Sequence, residues 1–340
     1  MLEAMRLIAL LLLLWAAPPA RDPALWPFSS DSPWNTPLAS DARFAAADDP
    51  TTRDLTDPAV AADINCREWS VPVYVASPGD PWLALSVDPA LALPNGLDAS
   101  IHRNNPVPGL RAPRDAAPGA PAYGAVSYTD GHTALIDETH SYVVEMWRAQ
   151  RRGADAMAAY TMVRNDLRGP GVGTGGARAY GGSAIGGLIR KGELARGIPH
   201  ALAFAIPRSK QRCCEPVWPA TTVDGGARGS YRGHVPMGQL AAIPPNVDIA
   251  ALGLSPQGLA IARALQNYGA YDVDSSSDFS IYAEPAAAAE LGRAKEDLRK
   301  IRPLLRCVLD NLPGTPGGAP PGARRRAPAA PPLAGPAAAN

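Results

Sequence analysis

Between Asp130 and Trp147 the chain reads Asp-Gly-His-Thr-Ala-Leu-Ile-Asp-Glu-Thr-His-Ser-Tyr-Val-Val-Glu-Met-Trp, which places an acid, a base and a flat aromatic at strand spacing. The run reads as two strands, roughly 132–136 and 141–148, joined by the polar turn Asp137-Glu138-Thr139-His140. Side chains alternate along a strand, so Leu135, Tyr142, Val144 and Met146 share one face while His132, Val143, Glu145 and Trp147 share the other. Pairing Ile136 with Ser141 sets His132 opposite Glu145 and Asp130 opposite Trp147. A carboxylate beside an imidazole suits general acid–base chemistry, because each tunes the other's pKa towards neutrality. Trp147 would give a sugar ring an apolar surface to stack on. The competing role is structural: a cross-strand polar pair, either solvated or buried under a loop and satisfied by hydrogen bonds.

Other chemistry-bearing residues lie elsewhere. His200 heads Ala-Leu-Ala-Phe-Ala-Ile-Pro207 and shares parity with Leu202, Phe204 and Ile206. It is a core-face histidine unless its strand neighbours the hairpin, in which case it joins His132 and Glu145 as a catalytic group. Two histidines and a carboxylate also suit zinc, but their distance in sequence argues against a metal site, and no cofactor is expected. The glycine-rich stretch Gly171–Gly187 matches G-x-G-x-x-G in letters, yet no strand leads into it and no amphipathic helix follows. Ser183 misses the G-x-S-x-G nucleophile elbow by one residue. The stretch therefore reads as a mobile loop bordering a cleft, with Arg178, Tyr180 and Ser183 as substrate contacts. Asp272-Val-Asp274-Ser-Ser-Ser-Asp278 resembles a calcium loop but lacks the central glycine, and Ala283 stands where the bidentate glutamate belongs. A hairpin turn between strands 270–273 and 279–282 explains it better.

These residues must be positioned by many short strands. Ser70–Val75, Trp82–Asp88, Ala158–Val163, His200–Ile206, Val217–Ala220 and Gln239–Ile243 all carry strand signals between turns, which points to an all-β sandwich or barrel, jelly-roll-like, rather than βαβ units. Ser255-Pro256 starts a helix that Gly269 ends, at one edge of the sheet. A second helix, about 285–312, carries the stripe Leu291, Leu298, Ile301, Leu305 and Val308, with Pro303 as a kink. Trp26, Phe28 and Trp34 pin an irregular N-terminal arm, and 21–284 form one domain. Residues 313–340, rich in Pro, Ala, Gly and Arg, read as a disordered tail whose Arg324–Arg326 cluster is solvated.

The N-terminal 20 residues read as a secretory signal peptide, with Leu10–Leu14 as its apolar core and no later span long enough for a membrane. The expected address is secreted, periplasmic or cell-envelope. Net charge is zero, with 32 residues of each sign, so nucleic acid is not an expected partner. In an oxidising compartment Cys213 and Cys214 are each expected to bridge to a distant partner, Cys66 or Cys307, since adjacent cysteines are strained when bridged.

Several strings together resemble an uncharacterised family of secreted bacterial β-rich proteins: Asp130/His132, Val144–Trp147, His200–Phe204 with Pro207, Trp218–Ala220, Pro236–Gly238, and Tyr268-Gly269 followed by Asp274. The resemblance covers roughly residues 26–284 and implies a single domain. It departs from the family at Gly131, where relatives carry Arg. Some relatives carry further domains typical of carbohydrate handling, which implies an extracellular polysaccharide as partner. The first expectation is thus a polysaccharide-cleaving enzyme, hydrolase or lyase, in which Glu145 and His132 are acid and base, with Asp130 and His200 near them and Trp147 as platform. The alternative is a non-catalytic carbohydrate-binding or envelope-associated module.

Overall fold

The computed structural model describes residues 20–67, 69–92, 105–119, 130–173 and 175–336. The expected signal peptide, apart from Ala20, lies outside the described residues. No helix among those residues is long and apolar enough to cross a membrane. The described chain is mostly β. Its strands are β1 (Ala62–Asn65), β2 (Val73–Val75), β3 (Trp82–Val87), β4 (Gly109–Arg111), β5 (Thr133–Ile136), β6 (Tyr142–Trp147) and β7 (Gln150–Arg151). They continue with β8 (Ala156–Ala159), β9 (Thr161–Asp166), β10 (Leu202–Pro207), β11 (Leu240–Ala242), β12 (Ala270–Ser276), β13 (Phe279–Tyr282) and β14 (Arg306–Cys307). The α-helices are α1 (Pro50–Leu55), α2 (Glu193–Arg196), α3 (Ala227–Ser230), α4 (Pro256–Asn267) and α5 (Ala294–Ile301).

Three mixed sheets form, ordered β1-β13-β10-β12-β11-β14, β2-β5-β6-β9 and β4-β3-β8-β7. Parallel pairs occur in each (β1/β13, β10/β12, β2/β5 and β3/β8). A parallel pair needs a crossover, and here the chain supplies it by leaving for another layer before returning. Between β2 and β5 it builds β3 and β4, and between β10 and β12 it builds β11 and α4.

The middle sheet β2-β5-β6-β9 is buried on both faces. Leu135, Val144 and Met146 pack with Leu83, Leu85 and Met157 of the third sheet. Ala134, Ile136 and Val143 pack with Ala203, Ala205, Tyr271 and Val273 of the six-stranded sheet. The far face of that larger sheet, with Leu202, Phe204, Phe279 and Ile281, is covered by Ile261 and Leu265 of α4 and Leu298 and Ile301 of α5. Helix α4 begins as its sequence dictates, with the Ser255 hydroxyl accepting from the Gly258 amide at 3.1 Å and Gly269 at φ +80° closing the end.

Four expectations are corrected. The segment 285–312 is not one helix but a 3-10 turn, α5, a second 3-10 turn and β14, because Gly292 takes φ +50° and Pro303 cannot continue the helical ladder. Its apolar stripe stays buried all the same. The stretch 270–282 is not a hairpin, since β10 lies between β12 and β13 and pairs with both. Val217–Ala220 forms no strand. The tail, over 313–336, is laid against the N-terminal arm through the Arg21↔Leu333 and Ala39↔Arg325 bridges. Its alanines pack lightly against the core, and arginines hold it in place. Arg325 donates to the carbonyls of Pro37, Pro316, Ala319 and Pro320, and Arg326 donates to Ala39 and Gln266 and lies 5.2 Å over the Phe44 ring.

Candidate functional site

The β5–β6 hairpin carries the first part of the site. Its register pairs Ala134 with Glu145 and Ile136 with Val143, two residues from the expected pairing, so the faces are kept and the partners change. Asp137 causes the slip. Its carboxylate accepts from the Ser141 and Tyr142 amides, both at 2.7 Å, while its own amide donates to Tyr142 O at 3.1 Å. The ladder therefore extends through Asp137, and the turn, with His140 at φ +55°, moves on by one residue. His132 comes level with Trp147 instead of Glu145. Beyond the strand end, Asp130 turns back to the same place: the Trp147 indole donates to its Oδ1 at 3.3 Å, and His132 Nε2 stands 3.7 Å from its Oδ2.

The second part comes from β12. Asp272 pairs with Phe204 and Asp274 with Ala205, so Val273 is an extra residue in a β-bulge. Regular alternation would put both aspartates on the helix-covered face. The bulge re-aims Asp274 to the opposite face, towards Asp130, while Asp272 stays fully buried, held by the Gln211 amide at 3.0 Å. The same Gln211 nitrogen binds the Asp274 carbonyl at 2.9 Å, tying the bulge down. Gly238 donates to Asp272 O at 2.8 Å and Val217 to Met237 O at 2.8 Å, so the Trp218–Ala220 and Pro236–Gly238 segments buttress this strand.

Between the two carboxylates lies Arg178, its side chain 2% exposed, 3.3 Å from Asp274 and stacked 3.9 Å from the Tyr282 ring centre. Burial acts to lower the arginine's pKa, but Tyr282, Asp274 and Asp130 outweigh it, so the guanidinium stays charged. Burial pushes the Asp274 carboxyl up to about 7 in spite of Arg178, with Asp224 and Asp130 adding to the rise. Asp130 is also raised, by burial first, although 31% of its side chain remains open to solvent and tempers the effect. Asp224 closes the far side through Arg208 and Ser275 Oγ, each at 2.6 Å. All of these except Arg178 line a cleft of about 1150 Å³ that also reaches Asp63, Asn65 and Trp69.

Of the residues singled out in the sequence, the structure brings together Asp130, His132, Trp147 and Arg178. It separates the rest. Glu145 is fully buried on the inner face of the middle sheet and accepts from the Ser183 hydroxyl, Asn165 Nδ2 at 2.9 Å and the Ile185 amide at 3.3 Å. Tyr180 and Ser183 belong to that buried knot, with Tyr180 OH donating to Ser183 O at 2.9 Å. Glu145, Tyr180 and Ser183 therefore do not reach the cleft, because the face that alternation assigned to a site is a second core. The glycine-rich loop carrying Tyr180 and Ser183 is packed closely on itself: a Cβ on Gly176 would fall 1.5 Å from the Gly182 carbonyl oxygen, so only glycine allows this approach. His200 is bound by Glu193, at 3.2 Å from both carboxylate oxygens, and lies apart from the cleft. Asp274, Asp224, Arg208 and Tyr282 were not anticipated. The Asp272-x-Asp274 string was the available signal, and the bulge that gives it meaning leaves no mark in the residue pattern.

Cys213 and Cys214 are bridged to each other in an exposed turn, which corrects the expected long-range pairing; Cys66 and Cys307 sit in the helix-covered core. Burial pushes the Cys307 thiol up to about 12, so it is inert. Among the described residues no three His, Cys, Asp or Glu side chains are arranged to hold a metal ion. Comparison of the chain with protein-family models, with curated proteins and with solved structures found no match.

Proposed function

We propose that this is a secreted carbohydrate-active protein that hydrolyses an extracellular polysaccharide in the cleft between the six-stranded sheet and the β5–β6 hairpin. The two facing β layers are read as a sandwich whose open end is the site. The observation that carries the proposal is the pair Asp130 and Asp274 held around one buried arginine, with Trp147 beside them. Cleavage of a glycosidic bond by two carboxyl groups needs one protonated and one ionised. Asp274, near 7, carries a proton under mildly acidic to neutral conditions and donates it to the departing glycosidic oxygen. Asp130 remains the base. It is steadied by the Trp147 indole and Arg178, and it takes a proton from the attacking water as the anomeric C–O bond breaks. Arg178 holds the negative charge that both groups develop in turn.

Hydrolysis is favoured over elimination by charge. A lyase acting on a uronate needs cations for the substrate carboxylate. Of the lining cations Arg67, Arg208 and Lys295, two already face aspartates: Arg208 is 2.6 Å from Asp224, and Lys295 is 2.8 Å from Asp63. A neutral glycan fits this lining better than an acidic one. The test is incubation of the mature protein with a glycan panel, reading new reducing ends and absorbance at 235 nm together. Reducing ends without absorbance are expected, and Asp274→Asn and Asp130→Asn should each cut the rate by about 10²–10⁴-fold. Glycan binding without any product would replace hydrolysis by the non-catalytic module, and absorbance rising with cleavage would make it a lyase.

A further inference from the structure

The cleft extends well past the carboxylate pair, and the sheet register says how far. Asp63 of β1 pairs with Ser280 of β13, Ser280 with Ala205 of β10, and Ala205 with Asp274 of β12. These four residues form one row across the sheet, so Asp63 and Asp274 are three strand spacings, roughly 14 Å, apart. The next row sets Asn65 beside Tyr282. Alternation sends Ile64, Phe279 and Ile281 to the helix-covered core, so Asp63, Asn65, Ser280 and Tyr282 are left to form a continuous polar floor. In the middle of the row stands Ala205, fully buried against the middle sheet, and the cleft passes beside it along Ser280 and Tyr282.

The same cleft is lined by a second half-buried tryptophan, Trp69, four residues after Asn65 in the chain, and by Lys295. The Lys295–Asp63 pair keeps 43% and 40% of its side-chain surface exposed, so its mutual attraction is weak and water or a hydroxyl group can displace it. An aromatic ring, a carboxylate, an amide and an ammonium lining one cleft offer the chemistry that recognises a pyranose ring: the flat C–H face stacks while polar groups bond its hydroxyls. The total volume, about 1150 Å³, also exceeds what a single ring needs.

We propose that Trp69, Asp63 and Asn65 form a second sugar subsite, so that the protein engages a run of several neutral sugar units and cuts within a chain instead of releasing single units from its end. This rests on the hydrolytic reading above. Binding energy gained at a remote subsite is spent at the reacting bond, so it appears as faster turnover of longer substrates.

The experiment uses cello-, xylo-, manno- and chito-oligosaccharides of two to six units, with kcat/KM measured for each length and product sizes recorded. For the wild-type protein the ratio of kcat/KM for the longest over the shortest oligosaccharide should exceed tenfold, with internal cleavage products. Trp69→Ala should lower that ratio tenfold or more, while Trp69→Phe, which keeps a stacking face and guards against a folding artefact, should restore most of it. A wild-type enzyme that cleaves with the same efficiency at every length, or a Trp69→Ala ratio equal to the wild type's, overturns the subsite and leaves the hydrolytic reading intact. A wild-type protein that neither binds nor cleaves any oligosaccharide or polymer overturns both.

Discussion

At the residue scale the site turns on the protonation of Asp274. Its folded pKa, about 7, lies above the ordinary aspartate value of 3.8 because burial disfavours the charged form. Between these two values the folded state holds a proton that the unfolded state has released, so stability falls as pH rises from about 4 to 7 and stays low above that. Asp274→Asn removes the titrating group. It should raise the melting temperature by several degrees at pH 8, change it little at pH 4, and cut hydrolysis by about 10²–10⁴-fold at both, as thermal scans and a rate assay would check. In the wild type, the rate should decline as pH rises through about 7, when the acid loses its proton. A variant rate that still falls through 7 would assign the proton to Asp130 instead. Stability forgone for a poised acid is the usual trade at an active site.

At the scale of elements, the glycine-rich loop is a closely packed arm that carries Arg178 to the carboxylates, and Glu145 is its anchor. Replacing Glu145 by Ala removes the carboxylate that accepts from the buried Ser183 hydroxyl, the Ile185 amide and Asn165 Nδ2. At about 1–3 kcal/mol for each group left unsatisfied, the loss should be on the order of 2–4 kcal/mol, read as a lower denaturant midpoint at unchanged slope. Activity should fall alongside because Arg178 loses its seat, whereas Asn165→Ala, which leaves the carboxylate with its Ser183 and Ile185 donors, should do less of both. Gly176→Ala should be more damaging than its size suggests, since the loop must open to admit the methyl group. The bulge at Val273 is the second such element. It is one residue long, and it decides which aspartate reaches the cleft.

Across the whole molecule, the tail and the N-terminal arm close over each other. Arg21 donates to Pro331 O at 2.7 Å and to the Trp26 and Phe28 carbonyls, while the Arg326 amide donates to Leu38 O at 2.9 Å. The arm in turn buries Trp34 edge-on against Tyr180 and Tyr271, 6.0 and 5.3 Å between ring centres, next to the loop that bears Arg178. Truncation after Leu312 should therefore lower the melting temperature and expose the segment around Trp26 to protease, which limited proteolysis with mass mapping would detect. A truncated protein as stable as the full chain would make the tail a passive wrapping.

Much of this was legible in the residues alone. Ser255-Pro256 and Gly269 bound helix α4 because caps are local chemistry, and the faces of β5 and β6 followed from alternation, which survives a slip of two residues. Trp147, Asp130 and His132 could be gathered for the same reason: they are close in sequence, and one hairpin carries them. Local rules do not say how many layers a sheet will be packed between. The hairpin face bearing Glu145 looked like a site because it gathers an acid, a base and an aromatic, yet the neighbouring strand β9 supplied Asn165 and the glycine-rich loop supplied Ser183 and Ile185 to satisfy that carboxylate. Asp274 reached the cleft through a bulge set by pairing with a strand some seventy residues away, and Arg178 through a loop whose closeness depends on two glycines meeting. The sequence by itself determined the elements and the chemistry available on each. Only the tertiary structure decided which acids would share a cleft, because burial and pairing between distant segments set both the direction of a side chain and the cost of its charge.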